Sequence, residues 1–139
     1  MRIMGIDYGD ARTGLAFSDF TMSLVGEAFT IHSQDMVRTA DAAAKEAKER
    51  DVSLIVLGYP RNMNGSVGER AQKSEQLKAM LEEKLDIGVV LWDERLSSVS
   101  AHAILTAGGT RARNHKKNVD AVAASLILQS YLDSRQINP

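Results

Sequence analysis

The run Ser53-Leu54-Ile55-Val56-Leu57-Gly58 constrains this chain more than any other, because it carries no charge and no alternation of polar with apolar residues. A strand with one wet face alternates, so a short uniform run of this kind is buried on both faces. That is the habit of parallel strands covered by helices on each side. The residues ahead of it supply one such helix. From Gln34 to Arg50 the apolar positions Met36, Val37, Ala40, Ala43, Ala44 and Ala47 recur at helical spacing, with Lys45, Glu46, Lys48 and Glu49 mostly on the other side. A helix feeding a doubly buried strand is a crossover unit.

Residues 2–8 and 12–19 read as two strands joined through Gly9, Asp10 and Ala11, a spacing that predicts an antiparallel hairpin. Gly14 inside the second strand predicts a bulge or a close backbone approach. A third strand is expected over 24–31. After the strand at 53–58, Ser66 with Glu69 three residues on has the form of a capping box, and the helix it opens runs to about Leu85. Ile87 to Trp92 is the next buried strand. A helix from about Ser97 closes at Gly108-Gly109, a basic loop spans 110–117, and Asn118 caps a last helix over Val119 to Leu132. The order predicts an α/β fold, one mixed sheet with helices on both faces, in a single domain over residues 1–139.

Composition narrows the chemistry. The absence of Cys excludes disulfides, thiolate nucleophiles and Cys-ligated zinc. No apolar run approaches the ~20 residues that span a bilayer, and the first strand begins with no charged-then-apolar leader, so a cytoplasmic protein without membrane attachment is expected. A net charge of -1 argues against nucleic-acid binding by bulk charge. Positive charge is instead concentrated in Arg111-Ala-Arg113-Asn-His115-Lys116-Lys117. His32 and His102 lie outside that cluster and show no ligand spacing.

Three acidic spots are delivered to the ends of elements: Asp7 after the first strand, Asp93 and Glu94 after the last, and Asp120 in the first turn of the final helix. Each has an ordinary explanation by itself, as a turn residue, a surface ion pair or a helix-dipole partner. Together they fall at the carboxyl edge of the inferred sheet, where sites form in open α/β folds. Carboxylates that converge repel unless cations sit between them, which is how oxygen-rich magnesium sites are built. Two such ions ~4 Å apart can activate water against a phosphodiester. With Phe, Trp and Tyr at 5% of the chain, base-stacking platforms are not expected, and recognition by shape and backbone is.

Gly5-Ile6-Asp7-Tyr8-Gly9 with Arg12, Gly14, Ala16, Ser18 and Asp19, then Gly58-Tyr59-Pro60 with Asn64-Gly65-Ser66, then Asp93-Glu94-Arg95-Leu96-Ser97, then Asp120-Ala121-Val122-Ala123-Ala124, resemble the YqgF family of bacterial ribosomal-RNA-maturation nucleases, also described as Holliday junction resolvases. Four motifs in order cover essentially the whole chain. The resemblance implies a ribonuclease H-like fold, with a five-stranded mixed sheet whose first three strands are antiparallel and whose later strands run parallel to the first. It implies hydrolysis of phosphodiesters with Mg2+ or Mn2+, in maturation of the small-subunit ribosomal RNA precursor.

Carried over by position, Asp7, Asp93 or Glu94, and Asp120 are the expected catalytic and metal-binding acids. Strand alternation puts Asp93 and Glu94 on opposite faces, so one is expected to ligate and the other to support. Arg12, Arg95, Arg111, Arg113, Lys116 and Lys117 are the expected contacts to the backbone of a structured RNA or a branched DNA. Gly5 and Gly9 are expected to leave room for phosphate and metal beside Asp7. Related resolvases often carry a second acid one turn before the last; Lys117 stands there, which weighs toward simple strand cleavage over junction resolution. Two other readings are weaker. An ATP-binding fold of the actin and sugar-kinase type shares the first hairpin but needs a second domain, and a weakly catalytic nucleic-acid-binding adaptor would not need the full acid set.

Overall fold

A computed structural model of the chain describes residues 1–60, 68–94 and 119–137. The elements are β1 (Arg2–Asp7), β2 (Arg12–Ser18), β3 (Val25–His32), α1 (Met36–Glu49), β4 (Val52–Tyr59), α2 (Glu69–Lys84), β5 (Gly88–Asp93) and α3 (Val119–Ile137). The helix expected from Ser97, the basic loop 110–117 and the cap at Asn118 lie outside the described residues.

The five strands form one sheet in the order β3-β2-β1-β4-β5. β1 pairs antiparallel with β2, and β2 with β3, while β4 runs parallel to both β1 and β5. The sheet is mixed as expected, with the doubly buried β4 near its middle. The register irregularity in β2 falls between Phe17 and Ser18 rather than at Gly14. There the Ser18 hydroxyl accepts a 2.8 Å hydrogen bond from the Ile3 amide.

Alternation along each strand divides the core into two layers. Met4, Ile6, Leu15, Phe17, Ile55, Leu57 and Val89 face α1 and α2 and pack with Ala40, Ala43, Ala47, Leu77 and Leu81. Ile3, Ala16 and Val56 face the other way and pack with Ala124, Ile127, Leu128 and Leu132 of α3. Each fully buried Leu or Ile contributes roughly 1.5–3 kcal/mol by leaving water, so both layers matter to stability.

Two expectations about the helices change. Asp35 caps α1, its side chain accepting from the Val37 amide, and this leaves Val37 half in water while Thr39 turns inward. α2 begins at Glu69 with Gly68 at the cap position and no side-chain cap bond, so Glu69 is the first helical residue and not the third of a capping box.

α3 lies unusually close to the sheet. A Cβ at Gly5 would stand 2.7 Å from the Cβ of Leu128, and one at Gly14 would stand 1.8 Å from the Asp120 carbonyl oxygen. The glycines of β1 and β2, with Ala121 and Ala124 opposite, let helix and sheet backbones touch. Gly5 therefore makes room for α3, not for phosphate and metal. Trp92 and Gln129 tie the same helix down: the Trp92 indole donates to Ser130, and the Gln129 side chain bridges the Val25 amide and the Ser23 carbonyl.

Candidate active site

The carboxyl end of β1 is the centre of the site. Asp7 follows Ile3 and Gly5 on the α3 face by strand alternation, and the β1–β2 turn after it is held shut by the Thr13 hydroxyl, which bonds both the amide and the carbonyl of Gly9. Gly9 is required by the turn itself, since a Cβ there would lie 2.3 Å from the Arg12 carbonyl oxygen.

β4 separates β1 from β5, so an acid at the end of β5 must cross a strand to reach Asp7. Glu94 does so. It follows Val90 and Trp92 on the α3 face, and its side chain lies over Gly58 of β4, whose imagined Cβ would be 2.7 Å from Glu94 Oε1. The Asp7 and Glu94 side chains are joined by a hydrogen bond. Asp93 is the last residue of β5, paired in register with Tyr59, and alternation assigns it to the opposite face. Of the two neighbouring acids, Glu94 is the one whose side chain reaches Asp7.

Asp120 enters from above. The contact between its carbonyl and Gly14 seats the start of α3 on β2, and its carboxylate Oδ2 is 3.4 Å from Arg12 Nε. Arg12 is thereby engaged with an acid of the site. Arg95, Arg111, Arg113, Lys116 and Lys117 lie outside the described residues.

The electrostatics follow from this crowding. Burial, the hydrogen bond to Glu94 and the Glu94 charge push the Asp7 carboxyl up to about 8, with Asp120 adding to the rise and Arg70 opposing it. A shared proton is what holds two carboxyl groups together in the absence of a cation. Among the described residues no three acidic or imidazole side chains are drawn tightly enough to cage an ion as they stand. The donor set is nevertheless one of carboxylate oxygens only, crowded enough that Asp7 keeps a proton at neutral pH, and it suits a hard divalent cation that would replace that proton.

Sequence reasoning missed three contributors. Gly58 carries no chemistry, and only strand order shows that Glu94 must pass over it. Arg70 and Lys73 of α2 line a small cavity with Tyr8, Gly9 and Asp10 on the other side of the hairpin. In sequence they are two charges on an amphipathic helix.

Comparison with known proteins agrees with this architecture. Residues 1–134 match the RuvX family, described as a Holliday junction resolvase. A relative from Clostridium novyi, described as a proposed pre-16S rRNA nuclease, is 42% identical over 135 residues, covering 96% of this chain and 99% of its own. Among solved structures, RuvC of T. thermophilus, in complex with a Holliday junction substrate, superposes with a TM-score of 0.71 at 11% identity, covering 99% of this chain and 97% of that one. The fowlpox virus resolvase, in complex with Holliday junction DNA, gives 0.61 at 14% identity, with 97% and 99% covered. At these identities the structures establish the shared fold, and the sequence match establishes kinship: the chain belongs to the RuvX family of Holliday junction resolvases.

Proposed function

We propose that this chain is a divalent-metal-dependent nuclease acting as a single domain in the cytoplasm, and that its substrate is the precursor of 16S ribosomal RNA. The observation that carries the reading is the convergence of Asp7, Glu94 and Asp120 from two strands and a helix on one face of the sheet edge. The relatives described as proposed pre-16S rRNA nucleases support the choice of RNA. No helix of the described residues is long and apolar enough to cross a membrane.

Asp7, Glu94 and Asp120 would hold the metal, Mg2+ or Mn2+, with Asp93 supporting from the far face. When bound, such ions polarise the phosphoryl oxygens and lower the pKa of water. The residues do the rest. Asp7, fixed by β1 and the Thr13-braced turn, presents its oxygens in one orientation. Glu94, hydrogen-bonded to Asp7 across Gly58, holds its carboxyl group beside that of Asp7. Arg12 exchanges its hold on Asp120 for the phosphate backbone, and the basic segment from Arg111 to Lys117, with Arg95, binds phosphates farther along the strand.

The deciding assay offers the protein, with Mg2+, a precursor 16S rRNA fragment, an unrelated single-stranded RNA and a four-way DNA junction. Cleavage of the precursor by the parent, and none by a folded Asp7→Asn variant, is the expected result. Cleavage of the junction alone would replace the RNA reading with junction resolution, and an Asp7→Asn protein as active as the parent would remove Asp7 from the mechanism.

A further inference from the structure

We propose that Arg70 and Lys73 form a phosphate-binding subsite for the strand being cut, on the side of Asp7 away from α3. The inference rests on the nuclease reading above and extends it to residues outside the acidic motifs and the basic loop.

α2 packs on the face of the sheet opposite α3, and its first two turns come up beside the β1–β2 turn. There Tyr8, Gly9, Asp10, Arg70 and Lys73 line a cavity of about 30 Å³. That volume admits one or two water-sized groups and is too small for a base, so it fits a phosphate oxygen and not a nucleoside. Two of its five lining residues are cationic.

Lys73 Nζ is 2.8 Å from Asp10 Oδ1 and 4.0 Å from Glu69 Oε1. Arg70 is exposed, and among the described residues no ion pair engages it. Its charge is close enough to act on Asp7. Tethering the hairpin to α2 does not account for the pair, because the Lys73–Asp10 bridge is at the surface, with Asp10 72% exposed, and such bridges contribute little. An exposed guanidinium beside a cluster of acids, with a cavity of phosphate-oxygen size at its foot, is suited to bidentate capture of a phosphodiester. Asp10 would leave Lys73 as the phosphate arrives. A strand crossing Asp7 would then be held from both faces of the sheet, by Arg12 on the α3 side and by Arg70 and Lys73 on the α2 side.

The test is binding of a labelled precursor 16S rRNA fragment by anisotropy, with Ca2+ in place of Mg2+ to limit cleavage, across a series of salt concentrations. Arg70→Ala is expected to weaken binding roughly tenfold at low salt and to reduce the slope of log K against log salt by about 0.7 to 0.9, the loss of one phosphate contact. Arg70→Lys should recover most of the slope, and Asp10→Asn should tighten binding by removing the competing carboxylate. Lys45→Ala, an equal loss of charge on the outer face of α1, should change neither. If Arg70→Ala and Lys73→Ala proteins melt like the parent and keep its affinity and slope, the subsite does not exist. A parent that binds and cleaves no nucleic acid overturns the nuclease reading instead, and the subsite with it.

Discussion

The carboxyl groups of Asp7 and Glu94 meet across an intervening strand, over the bare backbone of Gly58. Strands β1 and β5 are not neighbours in the sheet, so their terminal acids can pair on the α3 face only because β4 offers no side chain between them.

Gly58→Ala should therefore separate fold from activity. The added methyl would meet the ends of two flexible side chains, Glu94 Oε1 and Ile127 Cδ1, each at 2.7 Å. Both can give way, so the stability loss is expected to stay near 1–2 kcal/mol. Glu94 would be displaced from Asp7, and cleavage should fall by more than tenfold. Thermal melts paired with initial rates check this; a rate loss no greater than the loss of folded protein would mean that Gly58 is not a passage.

Gly14→Ala should behave differently. Its methyl would be driven into the Asp120 carbonyl oxygen at 1.8 Å, a backbone atom with no rotamer to relieve it. We expect at least ~3 kcal/mol of destabilisation, or an outward shift of the start of α3. Urea unfolding would show it as a lower midpoint.

Glu94→Gln and Asp93→Asn test which acid of the pair works at the site. Loss of Glu94's charge should lower the cleavage rate by a hundredfold or more, of the order seen when a group acting in the transition state is removed. Asp93→Asn should cost less than tenfold. The opposite ranking under matched metal and substrate would return the role to Asp93.

Asp7 also predicts a pH dependence of stability. Its carboxyl titrates near 8 in the fold against 3.8 in the unfolded chain. The folded state thus binds this proton more tightly, and its contribution is fully present below pH ~4 and is lost as pH rises toward 8. Without metal, the parent should lose on the order of 1 kcal/mol per pH unit relative to Asp7→Asn across that window. Urea titrations in EDTA at pH 5 and pH 8 measure the gap; Mg2+ should narrow it at pH 8. Parallel stability curves for the two proteins would show that Asp7 ionises freely.

Sequence patterns alone gave the order of the described elements. A short uniform apolar run bounded by turn residues favours a strand buried twice, and alanines at helical spacing favour a helix face, so local patterns carried that information. It also placed Asp7, Glu94 and Asp120 at element ends, because those positions are fixed once the elements are. Tertiary structure decided the rest. That Glu94 and not Asp93 faces Asp7 depends on the parity of β5 relative to β1, which pairing through β4 sets and no local pattern encodes. Gly5 looked like space for a ligand and proved to be part of the seat of α3, and the close backbone approach expected at Gly14 is made by that same helix, a contact spanning more than a hundred residues of chain. Arg70 and Lys73 read as solvated helix charges until the packing of α2 set them beside the β1–β2 turn. Periodicity reports what one element buries; which groups meet at an edge is decided only when the elements are packed against one another.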